Sequence, residues 1–222
     1  MFPIYIKEPD FEPPDDPLYY LVSGSGIFLV KNHLLFHSRT PVDEIPWLPE
    51  EQPCFRYRGP RLPRELLARA LALFMGVWER YAAESVVIFY FRPGLGGYEI
   101  DVPRQVVGGI HCVYEESPRE DSEDVRVGTI HSHGSQDAFH SDRDNADEAF
   151  QDGLHLIFGN LDTIPTLLCS AMVNGRRFPL RAEELVEGVP VLPGDLLQWE
   201  EWTRREIEQK IRPLQRPIYF GA

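Results

Sequence analysis

Two histidines, a serine and an aspartate lie close together in one short polar stretch of the chain. In "GTIHSHGSQDAFHSDRDNADEAF", one residue separates His131 from His133, and Ser141 and Asp144 follow with the spacing S-x-x-D. Imidazole nitrogens and carboxylate oxygens bind transition metals such as zinc. Two histidines and one aspartate give three protein ligands, the number typical of a catalytic zinc site that leaves one position for water.

A strand followed by a helix would position these four side chains. "VRVGTIHSH" has the composition of a strand, in which residues i and i+2 lie on one face, so His131 and His133 could close on a single ion. Ser141 then has the place of a helix N-cap, and Asp144 falls in the first helical turn. Each feature alone has an ordinary alternative, because H-x-H can be incidental and S-x-x-D can be only a cap.

The two features together, at their fixed spacing, resemble the motif of a known family. H-x-H, seven residues, S, two residues and D is similar to the JAMM motif of the JAB/MPN metalloproteases, a family of deubiquitinases and their bacterial relatives. The resemblance covers roughly residues 63–180. It implies that His131, His133 and Asp144 bind Zn²⁺. It also implies that Ser141 positions the catalytic water or stabilises the oxyanion.

The family also requires a glutamate at the start of a strand that follows a long helix. In "YAAESVVIFYF", Glu84 has this place, 131 − 84 = 47 residues before His131. Glu79 still lies inside the predicted helix. Glu99, in "GYEID", follows the strand and is the second candidate. The ordinary alternative for Glu84 is an exposed acid at a helix end.

The remaining polar residues around the motif are expected to have structural roles. His140 is interpreted as an exposed loop histidine and His155 as a satisfied core histidine. Asp147 and Glu148 are expected to serve the helix dipole and solubility. Gly134 stands where the family usually has proline, which is expected to loosen the loop without removing a ligand.

Composition excludes some classes of function. The chain has 222 residues and a formal net charge of −13, which disfavours binding to nucleic acid or to an anionic membrane surface. It contains no run of eighteen apolar residues, and "MFPIYIKEPDFEPPDDP" does not resemble a signal peptide. Three cysteines at irregular spacing fit a reduced, cytoplasmic protein better than a disulfide framework.

Hydrophobic patterns predict an α+β fold. "PRELLARALALFMGVWERYAAE" predicts a helix with one apolar stripe, and "SVVIFYF" predicts a strand buried on both faces. "QVVGGIHCVYEE" is interpreted as one strand and "DLLQWEEWTRREIEQKI" as one final helix. The resemblance implies a JAB/MPN sandwich of α/β/α type, in which helices flank a curved mixed sheet. Three parts are predicted: an N-terminal extension with a β-hairpin and Pro-rich connector (1–62), the metallopeptidase domain (63–190), and a C-terminal helix and tail (191–222).

The resemblance implies a zinc-dependent peptidase or isopeptidase that cuts after the C-terminal glycine of a ubiquitin-like protein. Glu84 would move the proton and Ser141 would donate to the oxyanion, while the substrate tail binds as an added strand. The implied partners are the ubiquitin-like substrate and activating- and conjugating-enzyme-like proteins of the same bacterial operon. Two alternatives stay open: a JAMM peptidase that processes a sulfur-carrier protein, and a non-catalytic module that binds a ubiquitin-like protein without cutting it.

Overall fold

The chain divides into two compact units, Met1–Pro53 and Cys54–Ala222. The computed structural model describes residues 1–116, 123–190 and 193–214. The division between the units falls inside the Pro-rich connector of the sequence. The residues just before the first long helix therefore belong with the second unit.

The first unit is a four-stranded sheet. Its strands are β1 (Ile4–Ile6), β2 (Leu18–Ser23), β3 (Gly26–His33) and β4 (Phe36–Val42), in the order β1-β2-β3-β4. β1 runs parallel to β2, and the other pairs are antiparallel. Tyr19 and Leu21 alternate onto one face of β2 and are buried with Val30 in a small core. The predicted hairpin is thus part of a larger sheet, because the arm before it supplies β1.

The second unit combines helices with two sheets. The helices are α1 (Arg64–Tyr81), α2 (Asp142–Glu148), α3 (Ala182–Leu185), α4 (Pro193–Leu197) and α5 (Glu200–Lys210). The strands are β5 (Val86–Arg92), β6 (Gly97–Asp101), β7 (Arg104–Gly108), β8 (His111–Glu115), β9 (Val125–Ser132), β10 (Gly153–Gly159), β11 (Thr166–Val173), β12 (Arg176–Leu180) and β13 (Ile211–Pro213). Six strands form a mixed sheet of order β12-β11-β10-β9-β5-β6, and three form a second sheet of order β13-β7-β8.

The centre of the six-stranded sheet carries the elements that matter for the motif. β9 pairs in parallel with β10 and antiparallel with β5. The connection from β9 to β10 contains α2, as a parallel pair requires a crossover. β9 and α2 are therefore adjacent both in sequence and at one end of the central strands.

The longest helix follows its predicted apolar stripe. Leu67, Leu71 and Phe74 are fully buried against the six-stranded sheet as part of the main core. α1 ends where Ala82 takes a left-handed conformation, with φ of 48°, and donates its N–H to the Trp78 carbonyl at 2.8 Å. β5 follows with five consecutive buried residues. The link between helix and strand is consequently short, and Glu84 lies in it.

Two predicted elements are divided in the structure. The predicted strand "QVVGGIHCVYEE" is a hairpin of β7 and β8, in which Gly108 is opposite His111 and the chain reverses at Gly109 and Ile110. The predicted final helix is interrupted between α4 and α5. Near this interruption Arg69 of α1 lies over the rings of Trp199 and Trp202, with its guanidinium carbon 5.3 Å and 4.2 Å from the two centroids. These cation–π contacts hold the C-terminal helices against α1.

The prediction of an α+β fold class is confirmed, since mixed sheets and a few helices make up the second unit. The finer prediction of a JAB/MPN sandwich stays a prediction. Within the residues that the structure describes, no helix combines the length and the apolar character needed to cross a membrane.

The close approach of β9 to β10 gives a test of this packing. A Cβ on Gly128 would lie 1.7 Å from the backbone oxygen of Leu154, whereas a Cβ on Gly94 meets nothing within 4 Å. We expect Gly128→Ala to lower the free energy of unfolding by at least about 2 kcal/mol, because β10 must move. Gly94→Ala should change it by less than about 0.5 kcal/mol. Urea unfolding measures both, and equal stabilities would contradict the packing described.

Candidate metal centre

The two motif histidines lie at the end of β9 and face the same space. The Nε2 atoms of His131 and His133 are 3.2 Å apart. The His133 backbone N–H donates to the Phe158 carbonyl at 2.8 Å, which extends the pairing with β10 beyond the end of β9. His133 is 5% exposed. The rings are therefore held by the strand and enclosed by the fold around it.

Asp144 reaches back from α2 to both rings. Its Oδ1 lies 3.4 Å from the His131 Nε2, and its Oδ2 lies 3.3 Å from the His133 Nε2. Ser141 is the N-cap: its hydroxyl accepts from the Asp144 N–H at 3.1 Å and donates to Asp144 Oδ2 at 2.6 Å. The Ser141 backbone N–H also donates to that oxygen, at 2.8 Å. This reciprocal cap orients the carboxylate toward the histidines.

The three side chains form a group that is compatible with a metal ion. Ligand atoms from His131, His133 and Asp144 all lie within 4.8 Å of one another. Burial alone would raise the pKa of the Asp144 carboxyl, but hydrogen bonds with both histidines and Ser141 outweigh it and hold the pKa well below its ordinary value. Asp144 is therefore an anion at neutral pH, as a metal-binding carboxylate must be.

Glu84 lines the same cleft as His131, Ser141 and Asp144. Its backbone N–H donates to the Gly108 carbonyl at 2.9 Å, which fixes the link between α1 and β5. Burial raises the pKa of Glu84 to about 7, with a smaller contribution in the opposite direction from His133. A carboxyl group with this pKa can both accept and release a proton near neutral pH.

The other two glutamates lie elsewhere. Glu79 is exposed on α1, and Glu99 on β6 forms an ion pair with Arg92 at 2.6 Å. Neither side chain lines the cleft that contains Glu84. Of the three candidates, only Glu84 is placed where it could act with the histidines.

A buried glutamine that the sequence did not single out fixes the strand after Glu84. Gln105 of β7 accepts from the Val86 N–H at 3.0 Å and donates to the Val86 carbonyl at 2.9 Å, so its amide substitutes for a strand partner. On the other side, the Ser132 N–H donates to the Ser85 carbonyl at 3.1 Å. The start of β5 is thus held from both edges. No periodicity or spacing in the sequence signals a role for Gln105.

Gly134 does not loosen the loop after the histidines. Its φ is +58°, and a Cβ there would lie 2.3 Å from the Trp78 ring. Its carbonyl accepts from the Leu161 N–H at 2.9 Å, and the His133 carbonyl accepts from the Gln136 N–H at 3.0 Å. The expectation of a loosened loop was wrong, because the loop is pinned to the segment after β10. Proline has a fixed φ near −65° and cannot adopt this conformation.

Glu148 is not a solubility residue. It is 6% exposed, and its Oε2 lies 2.6 Å from Arg177 of β12. Its Oε1 lies 3.4 Å from the His155 Nδ1. Burial opposes ionisation, but contacts with His155, His131 and Arg177 together lower the pKa of Glu148 below its ordinary value. The expectation from its place on the helix was wrong for Glu148, whereas Asp147 is 67% exposed and paired with Arg143.

The other two histidines near the site are not ligands of the group. His155 is fully buried, with its ring nitrogens 2.9 Å from the Thr129 hydroxyl and 2.9 Å from the Gln151 carbonyl. It is the satisfied core histidine that the sequence indicated. His140 is half-buried instead of exposed, and burial, helped by Arg177, lowers its pKa to about 4.

No protein-family model matches the chain, and no curated protein matches it in sequence. The arrangement of His131, His133 and Asp144 is therefore the observation from which its chemistry must be inferred. The site offers three side chains that are compatible with a metal ion, a carboxyl group that can exchange a proton, and a hydroxyl, all at the end of one strand pair. Metal-assisted hydrolysis uses groups of these kinds.

The conformation of Gly134 leads to a prediction about the loop. Gly134→Ala forces a residue with a Cβ into a left-handed conformation, which costs free energy, and places that Cβ against the Trp78 ring. Gly134→Pro also requires a different φ. We expect both variants to lose at least about 2 kcal/mol of unfolding free energy and to bind metal more weakly. Gly175→Ala is the matched control, since Gly175 has φ of +73° with no atom closer than 3.7 Å. It should lose about 1 kcal/mol. Wild-type stability in Gly134→Pro would contradict the described loop.

The raised pKa of Glu84 predicts a pH dependence for the metal-free protein. With the pKa raised from 4.5 to about 7, its contribution to stability is complete below about pH 4.5 and is lost as the pH rises through about 7. Glu84→Gln cannot ionise, so its stability relative to wild type should improve by about 1–2 kcal/mol between about pH 5 and pH 8, after allowance for partial exposure. Glu79→Gln should show no such trend. Chemical unfolding at the two pH values measures the difference in unfolding free energy between Glu84→Gln and wild type. The same difference at both pH values would contradict the raised pKa of Glu84.

Proposed function

We propose that this protein is a zinc-dependent peptidase or isopeptidase of the JAMM type. It would cut the peptide or isopeptide bond after the C-terminal glycine of a ubiquitin-like protein. The observation that carries this proposal is the convergence of His131, His133 and Asp144 in the cleft that also contains Glu84. The motif spacing that resembles the JAMM pattern supports the same assignment.

The spacing of the donor atoms fits zinc. Ligands at 2.0–2.1 Å from a tetrahedral ion are separated from one another by about 3.3 Å. The separations here are 3.2 Å between the His131 and His133 Nε2 atoms, 3.4 Å from the His131 Nε2 to Asp144 Oδ1 and 3.3 Å from the His133 Nε2 to Asp144 Oδ2, so the two distances to Asp144 involve different oxygens of its carboxylate. Three protein ligands with no sulfur among them are typical of a catalytic site, because structural zinc sites usually use four ligands and include cysteine.

His131, His133 and Asp144 would hold the ion, which supplies Lewis-acid activation of a water molecule and of a substrate carbonyl when it is bound. Glu84 would accept a proton from the attacking water and return it to the leaving amine, a cycle suited to a pKa near 7. Ser141 lines the same cleft. Its hydroxyl donates to Asp144 Oδ2 at 2.6 Å in this structure, and it would turn from Asp144 to donate to the oxyanion that forms on the substrate. Each step uses a side chain that lines the cleft or binds the ion.

The strand beside the cleft supports a peptide as substrate. β8 is at an edge of the three-stranded sheet, and it pairs only with β7 among the residues that the structure describes. Cys112 and Tyr114 alternate onto its cleft side and line the cleft with Ile110, whereas Val113 is 58% exposed. An extended tail could add to this edge through main-chain hydrogen bonds and present its last residues to Glu84.

In the proposed function, the protein acts in the cytoplasm of a bacterium, together with activating- and conjugating-enzyme-like proteins of the same operon. A second candidate is a JAMM peptidase that processes a sulfur-carrier protein, since the same edge strand and the same chemistry would serve a similar tail. A third is a module that binds a ubiquitin-like protein without cutting it. Against the third stands the burial of Glu84, which raises its pKa to about 7 and which binding alone does not require.

Removal of the proton-transfer group tests the proposed chemistry. In Glu84→Gln we expect about one zinc ion per chain to be retained, because Glu84 is not a ligand, while cleavage falls by about 10²–10⁴-fold. The substrate is a linear fusion in which the C-terminal glycine of a ubiquitin-like protein precedes a reporter. Gel analysis measures cleavage and elemental analysis measures zinc. Glu79→Gln, which changes an exposed acid of α1, should retain wild-type activity.

Each outcome bears on one candidate. Cleavage that persists in zinc-loaded Glu84→Gln would show that Glu84 is not the base. Binding of the fusion by wild type without any cleavage would favour the non-catalytic module. Cleavage of a sulfur-carrier fusion but not of a conjugation-type fusion would favour the biosynthetic peptidase.

A further inference from the structure

We infer that Glu148 is a positioning residue that orients His131 for metal binding and is itself held in place by Arg177. This inference rests on the proposed metal site, and it adds a residue that lies outside the motif. It follows from the position of a buried carboxylate between the metal-binding face of β9 and the far edge of the six-stranded sheet.

Both oxygens of Glu148 are engaged. Oε2 lies 2.6 Å from the Arg177 guanidinium. Oε1 lies 3.4 Å from the His155 Nδ1 and 3.9 Å from the His131 Nδ1. The last distance is longer than a hydrogen bond, but it is short enough for the charge of Glu148, whose side chain is only 8% exposed, to act on the dipole of an Nδ1–H group of His131.

The carboxylate faces the nitrogen of His131 that does not point at the other ligands. The Nε2 of His131 lies toward His133 and Asp144, at 3.2 Å and 3.4 Å. A negative charge near Nδ1 favours the tautomer with the proton on Nδ1, and Nε2 then keeps its lone pair for the ion. Glu148 would therefore present the correct face of the imidazole before a metal ion arrives.

Arg177 links the carboxylate to the rest of the site. Its NH1 donates to the Ser170 hydroxyl of β11 at 2.8 Å, and its Nε donates to the Asn145 side chain at 3.0 Å. Asn145 immediately follows Asp144 on α2. The Arg177 guanidinium thus links β11 and β12 to α2, the helix that carries Asp144. Its partner Glu148 faces His131.

Stability alone does not account for this pair. Burying two charges costs desolvation free energy, and a well-packed apolar pair of similar size is often equally stable. Arg177 and Glu148 are 15% and 8% exposed at the side chain. Glu148 faces the Nδ1 side of His131, and this position explains why the pair is charged. An apolar pair there would have no influence on the tautomer of the His131 ring.

Glu148→Gln tests the inference, since it preserves size and removes the charge. We expect the dissociation constant for Zn²⁺, measured by competition with a chromogenic chelator, to rise about 10–100-fold. The matched control is Asp147→Asn, which removes one acid from the neighbouring, exposed position of α2, and it should stay within about threefold of wild type. The visible spectrum of the Co²⁺-substituted protein, which reports ligand geometry, should change in Glu148→Gln and not in Asp147→Asn.

A double variant separates the loss of the Glu148 charge from misfolding caused by an unpaired Arg177. Glu148→Gln leaves Arg177 unpaired, so Glu148→Gln combined with Arg177→Met is measured as well, because it buries no unpaired charge. Circular dichroism establishes that each variant is folded. Zinc affinity equal to wild type in either folded variant would overturn the role of Glu148 and leave the metal site intact. If wild type itself binds no Zn²⁺, the proposed function fails first, and the inference fails with it.

Discussion

The antiparallel pairing of β5 with β9 is the constraint on which the candidate site depends. In this register Val86 is opposite His131, so Glu84, two residues before Val86, comes level with His133 beyond the end of β9. A slip of one residue would turn every side chain of β5 to the opposite face. The register is held by the Gln105 side chain on one edge and by backbone pairing of Ser85 with Ser132 on the other. Precise placement of the carboxylate beside the histidines is thus a property of strand pairing.

Electrostatics complements this geometry. Glu84, Asp144 and Glu148 line one cleft, and three nearby acids repel one another unless protons or cations compensate. The structure compensates each in a different way. Asp144 faces two imidazoles and Glu148 faces Arg177, while Glu84 is partly protonated near neutral pH because burial raises its pKa to about 7. A divalent ion would bind beside Asp144, whose hydrogen bonds with both histidines and Ser141 keep it ionised.

Much of the second unit was predictable from local patterns. The stripe of α1, the largely buried strand β5 and the strand end that carries the histidines each follow from the hydrophobic pattern over a short window. The predictions of one strand over "QVVGGIHCVYEE" and of one final helix were wrong in detail, because the first segment reverses into the hairpin β7–β8 and the second is interrupted between α4 and α5. The prediction for Gly134 was also wrong, because it could not include a residue distant in sequence. Gly134 has a left-handed φ and lies against Trp78, which is 56 positions away in the chain, as 134 − 78 = 56.

The sequence by itself determined which side chains could bind an ion, since residue types and the spacing of His131, His133, Ser141 and Asp144 are local facts. It also pointed to Glu84, because a helix-to-strand junction is visible in the hydrophobic pattern. Only the tertiary structure decided that Gln105 aligns β5 and that Glu148 and Arg177 stand behind His131. Their roles depend on which strands become neighbours, and a side chain acquires a partner across a sheet only after strand order and register have formed.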